Sequence, residues 1–126
     1  MSLPEVKSCG VLVFRREPEL SFLLMRHSMR LDLPKGHVDP NETDIECALR
    51  EMWEETGIPR DEVILDPQFR FTTKYRTREK RFAGGLALKT LVVFLGWLQR
   101  PIDIRPTEHD HFDWFPWQPP HQIQPQ

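Results

Sequence analysis

Between Gly36 and Ile58 the chain reads GHVDPNETDIECALREMWEETGI. Its carboxylates Glu51, Glu54 and Glu55 are spaced so that a helix would carry them on one side. Like charges within one helical turn repel one another, so the arrangement makes most physical sense with cations among them. Magnesium suits such a place, because it takes oxygen ligands and leaves coordination positions for water and for phosphate oxygens. The chemistry this points to is metal-assisted reaction at a phosphate. The competing reading is a solvated acidic face, the commoner origin of charge on a helix.

The helix that would position these groups has its boundaries written in the sequence. Thr43 and Glu46 fit the capping-box spacing, Gly57 supplies a stop, and Pro59 prevents resumption. Ile45, Ala48, Leu49 and Met52 recur at helical spacing and predict the face packed on a sheet. Arg50 lies at the edge of the acidic stripe, where it could pair with a carboxylate and fix its rotamer. Before the helix, HSMRLDLPKG predicts a loop, extended at Pro34 and free to turn at Gly36. Lys35 in that loop is equally well read as solvated or as a phosphate contact. His37 is read as structural.

The rest of the chain predicts a sheet. SCGVLVF and LSFLLMR are two apolar runs joined by a charged turn containing proline, and their near-continuous apolarity implies burial on both faces, with helices as the cover. DEVILDPQFRFTTKY reads as one further strand. It leads into a basic loop in which Lys74, Arg76, Arg78, Lys80 and Arg81 face the single acid Glu79. That run is either a solvated face or a holder of distal phosphates. LALKTLVVFLGWL is a strongly β-prone strand, with Lys89 placed where a charge must face a cleft or the surface. Glu108, His109, Asp110 and His111 precede a short aromatic strand; without a well-separated ligand pair they are weak evidence for zinc.

Composition narrows the class. At 126 residues the chain should form one domain. A formal net charge of -2 argues against stable nucleic-acid binding. Cys9 and Cys47 offer no disulfide framework and predict reduced thiols in a cytoplasmic protein. The longest apolar run, Leu91 to Leu98, is too short to span a bilayer, so no membrane association is expected.

The fixed positions Gly36, Glu42, Arg50, Glu51, Glu54, Glu55 and Gly57, with aliphatic Met52 and Ile58, resemble the signature of the Nudix hydrolases throughout. At residue frequencies near ~5%, chance would produce this at one site on the order of one time in a billion. The resemblance implies an α/β (α+β) fold, an α/β/α sandwich around a curved mixed sheet. It also implies hydrolysis of a nucleoside diphosphate linked to another group, with magnesium, or manganese in its place, as cofactor. Carried over, the metal ligands fall on Glu51, Glu54, Glu55 and a backbone carbonyl at Lys35 or Gly36. Glu42 and Arg50 would hold loop and helix in register. Glu54, Glu55, Arg50 and Glu108 form the catalytic set, Glu108 as a further ligand or the general base.

Outside the signature, SCGVLVFRR, PKGHV, Tyr75, Lys89-Thr90 and TEHDHFDWF are similar to the asymmetric diadenosine tetraphosphate hydrolase branch of that family. The resemblance then implies release of ATP and AMP. Tyr75 would stack an adenine, though core filler is an equal reading of that ring, and Lys89 would contact phosphate. Lys35 and Arg76 complete the expected contacts to this small nucleotide substrate. Nucleoside triphosphates, 5'-triphosphate RNA ends, diphosphoinositol polyphosphates and a non-catalytic nucleotide sensor stay open as alternatives, as do monomer and dimer. The chain departs from the branch at Asn41, where glycine is usual, and asparagine tolerates the left-handed turn. Its prolines 116, 119, 120 and 125 also predict that the usual C-terminal helix is shortened or absent, leaving an irregular tail over 116–126 with Trp114 and Trp117 available to cover the sheet.

Overall fold

The computed structural model describes residues 3–27, 30–106 and 111–118. Among them the chain forms β1 (Glu5–Arg15), β2 (Ser21–His27), β3 (Arg30–Asp32), β4 (Lys35–His37), α1 (Asp44–Thr56), β5 (Val63–Leu65), β6 (Phe71–Glu79), β7 (Gly85–Leu98) and β8 (His111–Pro116), with single 3-10 turns at Arg60–Glu62 and Lys80–Phe82. All the strands join one mixed sheet of α+β type.

The sheet is built on two long apolar strands. β1 runs parallel to β7 from Glu5↔Leu88 to Phe14↔Trp97. The other edge of β1 is divided between β4, antiparallel through Cys9↔Gly36, and β2, antiparallel through Phe14↔Phe22. β7 is flanked by β6 along its first part and by β5 at its end. β3 and β8 both pair with β2. This topology brings β4, which leads into α1, directly beside the centre of the sheet.

Both faces of β1 are buried, as the unbroken apolar run predicts. Cys9, Val11 and Val13 pack with Cys47, Ala48, Leu49 and Met52 of α1 in the principal core. On the opposite face Phe14 meets Phe22 and Trp97 at ring separations of 5.8 and 5.4 Å. Trp117 closes over Phe14 and Phe22 at 5.7 and 6.1 Å, the covering role expected of it. Trp114 instead packs against the principal core, with the Arg15 guanidinium 4.3 Å over its ring. α1 is the only α-helix among the described residues, and none of their helices is long and apolar enough to cross a membrane.

Several local expectations need correction. Ile45 is 44% exposed rather than part of the core face, because the first turn of α1 meets the strands through Asp44 and Cys47, which contact Lys7 and Gly36. The segment before Gly36 is not simply a loop, since β3 and β4 find partners on β2 and β1. The stretch after the helix divides into β5 and β6. The basic run is mostly strand β6 and the turn after it, because its alternating threonine, tyrosine and cations pair along β7.

Candidate active site

α1 owes its position to both of its ends. The Thr43 hydroxyl accepts from Glu46 N–H at 3.1 Å, and the Glu46 carboxylate accepts from Thr43 N–H at 2.9 Å, so two otherwise unsatisfied donors are met. At the other end Gly57 takes the left-handed conformation (φ 78°) and donates to Trp53 O at 2.9 Å. The turn before the helix uses Asn41 at φ 65°, the left-handed geometry asparagine was expected to supply.

Arg50 gathers the site. Its Nε donates to Glu42 at 2.7 Å, and its Nη1 donates to Glu51 at 2.9 Å and to Glu54 at 3.1 Å. Its Nη2 donates to the carbonyl of His37 at 3.0 Å. One guanidinium thus ties β4, the turn and α1 together, as planar forks do well. Its hydrogen bond to Glu42 is the main cause raising the Arg50 pKa and, from the other side, holds the Glu42 carboxyl below its ordinary value.

Glu55 faces inward, 5% exposed, and accepts from the backbone N–H of Lys35 at 2.7 Å. The Glu51 carboxylate fills the space where a Cβ at Gly36 would stand, so only glycine lets β4 approach the helix so closely. The Gly36 carbonyl accepts from Cys47 Sγ at 3.4 Å. Burial pushes the Cys47 thiol up to about 11 and that of Cys9 up to about 12, so both are protonated at neutral pH and inert as nucleophiles.

Glu51, Glu54, Glu55 and the Gly36 carbonyl form an all-oxygen donor set at the junction of α1 and β4, the type magnesium or manganese prefers. Among the described residues no three His, Cys, Asp or Glu side chains converge on one ion-sized point. The physical reason is Arg50, toward which Glu51 and Glu54 turn while Glu55 turns to Lys35 N–H. By chemistry Glu51, Glu54, Glu55 and the Gly36 carbonyl are the groups here that could hold a divalent cation.

The remaining expected contacts separate by sheet face. Register places Lys89 opposite Tyr75 and beside Val6, on the face away from α1. Lys35 and His37 share that face through their pairing with Gly10 and Ser8. Lys35 Nζ lies 3.3 Å from Asp32, and burial, reinforced by the Lys35 charge, lowers the Lys89 pKa. Arg76 is not brought into this group, because its register with Leu88 puts it on the opposite face. Glu108 lies outside the described residues.

Sequence reasoning missed the surroundings of His37. Its Nε2 lies 3.0 Å from Glu79 Oε1, and its Nδ1 lies 2.7 Å from Arg81 Nη2, which fits a neutral ring accepting from the arginine at Nδ1. Burial chiefly, then the Arg81 and Lys89 charges, lower the His37 pKa. Glu79 Oε1 and Ser8 Oγ are buried there without an aligned hydrogen bond. The one available signal was Glu79 itself, a lone acid inside a basic run.

A capped helix presenting carboxylates to a glycine-containing strand on a mixed sheet defines a Nudix-type hydrolase domain. The NUDIX domain family model matches residues 5–126, and the chain belongs to the Nudix hydrolases. It is 35% identical over 121 residues to the asymmetrical bis(5'-nucleosyl)-tetraphosphatase of Rattus norvegicus, covering 86% of this chain and 78% of that protein. The solved Ap4A hydrolase binary complex of C. elegans superposes with a TM-score of 0.77 at 28% identity, over 88% of this chain and 80% of that one. A shorter match, 34% identical over 79 residues, joins 56% of this chain to 46% of the RNA pyrophosphohydrolase of Bartonella henselae.

Proposed function

We propose that this Nudix hydrolase is magnesium-dependent and cleaves diadenosine tetraphosphate to ATP and AMP. The observation that carries the reading is the row Glu51, Glu54 and Glu55, the first two held by Arg50 and the third by the Lys35 N–H, with Glu51 packed against Gly36. The names of the rat and nematode relatives support the substrate.

In this reading Glu51, Glu54, Glu55 and the Gly36 carbonyl hold the metal. When bound, the metal neutralises the polyphosphate and lowers the pKa of the attacking water. Water oxygen bonds to the phosphorus next to one adenosine, the bridging P–O bond breaks, and ATP leaves with that oxygen. Glu108 takes the proton of the water. Lys35 and Lys89 hold outer phosphates, and Tyr75, 38% exposed beside Lys89, stacks an adenine. Arg50 positions the carboxylates and does not itself touch substrate.

A second reading has one observation in its favour. Lys74, Arg76 and Arg78 are exposed on a single face of β6, a row of cations suited to a polyanion such as an RNA 5' end. Incubation with diadenosine tetraphosphate, nucleoside triphosphates, 5'-triphosphate RNA and a diphosphoinositol polyphosphate separates the readings. Highest kcat/KM for the dinucleotide, with ATP and AMP as products and loss of turnover on chelation of magnesium, is expected. Two ADP, or preference for the RNA, overturns the substrate assignment.

A further inference from the structure

We infer that Trp53 and the cleft beside it dock the second nucleoside of the substrate, the half that Tyr75 does not hold. The inference rests on the dinucleotide reading above and adds a site to it. Trp53 lies on the outer side of α1, 58% exposed, while Cys47, Ala48 and Met52 of the same helix are fully buried. A ring of that size held at the surface of a short helix contributes little to the core. It adjoins two clefts. One, of about 640 Å3, includes Leu49, Arg50 and Pro59. The other, of about 660 Å3, runs from Glu54 past Trp53 to Pro101, Ile102 and Arg105.

The second cleft therefore reaches the carboxylate row at one member, Glu54. Trp53 and Glu54 both line this cleft, so a substrate phosphate engaged at Glu54 has the indole in the same cavity, within reach of the nucleoside that follows it. The walls suit a nucleoside better than another phosphate. Prolines and Ile102 offer apolar surface, and the charges of Glu54 and Asp103 balance those of Arg100 and Arg105. Tyr75 stands on the face of the sheet away from α1. A substrate with a nucleoside at each end would straddle the junction of β4 and α1, with its phosphates at the glutamates and one base on each aromatic ring.

Base stacking on an aromatic side chain gives the size of the effect. Trp53→Ala should raise KM for diadenosine tetraphosphate about tenfold, and Trp53→Phe should recover most of the loss. Adenosine 5'-tetraphosphate, which has no second nucleoside, should be hydrolysed equally by all three proteins. A separate readout is the Trp53 indole N–H resonance, assigned with Trp53→Phe. It should shift when a methylene-bridged, non-hydrolysable diadenosine tetraphosphate is added with magnesium, and stay in place with ATP. Equal losses on both substrates, no loss on either, or an unmoved resonance with the dinucleotide bound, overturns the subsite and leaves the proposed function standing. Failure of the unmodified protein to bind or cleave the dinucleotide overturns both.

Discussion

At the scale of the residue, Arg50 explains how Glu51 and Glu54 coexist on one turn of helix with Glu42 beside them. Its fork reaches Glu51, Glu54 and Glu42 together, while Glu55 is met separately by Lys35 N–H, so part of the repulsion inferred from the sequence is answered before any metal arrives. A lysine carries its charge on a point and cannot bridge the three. Arg50→Lys should therefore lose about 1–3 kcal/mol of stability in denaturant melts, the lower half being expected because a quarter of the side chain is exposed. Its kcat should fall about tenfold or more as the carboxylates lose their alignment. A variant matching the parent in both would show that Arg50 organises nothing. Spacing along a helix made the glutamates and Arg50 legible in advance. The surroundings of His37 were not, because Glu79 and Arg81 reach it only through the pairing of strands distant in sequence.

At the scale of the element, α1 was readable end to end because caps are local chemistry. Thr43 and Gly57 act on groups within four residues of themselves. Thr43→Ala removes one half of the capping box and should cost about 1 kcal/mol, measured as a lowered denaturation midpoint at unchanged slope. Activity at saturating magnesium should persist, since the catalytic turns lie further along; loss of the fold altogether would mean that the cap does more than close the helix. Ile45 was misjudged because a helical wheel does not show which residues of a first turn meet the sheet; here Asp44 and Cys47 do, against Lys7 and Gly36. β6 was misjudged because dense charge looks like loop. Lys74, Arg76 and Arg78 alternate with Thr73, Tyr75 and Thr77, and cations on an edge strand also discourage pairing with other chains.

At the scale of the whole molecule, a sheet apolar on both faces needs two covers. α1 supplies one, and an aromatic group closed by Trp117 supplies part of the other. Composition announced the need through the unbroken apolar strands. Which tryptophan would cover which face was beyond local pattern, because it depends on the pairing of β8 with β2. The same topology sets β4 against α1 and so creates the place where glutamates and glycine meet. Metal-assisted hydrolysis at that place is the central claim, and Glu55→Gln tests it most directly. Glutamine keeps an oxygen able to accept from Lys35 N–H, so the fold is retained while the anionic ligand is lost. Turnover of diadenosine tetraphosphate at saturating magnesium should fall about a thousandfold or more. Turnover within a few-fold of the parent, or turnover that persists without a divalent metal, would contradict the account.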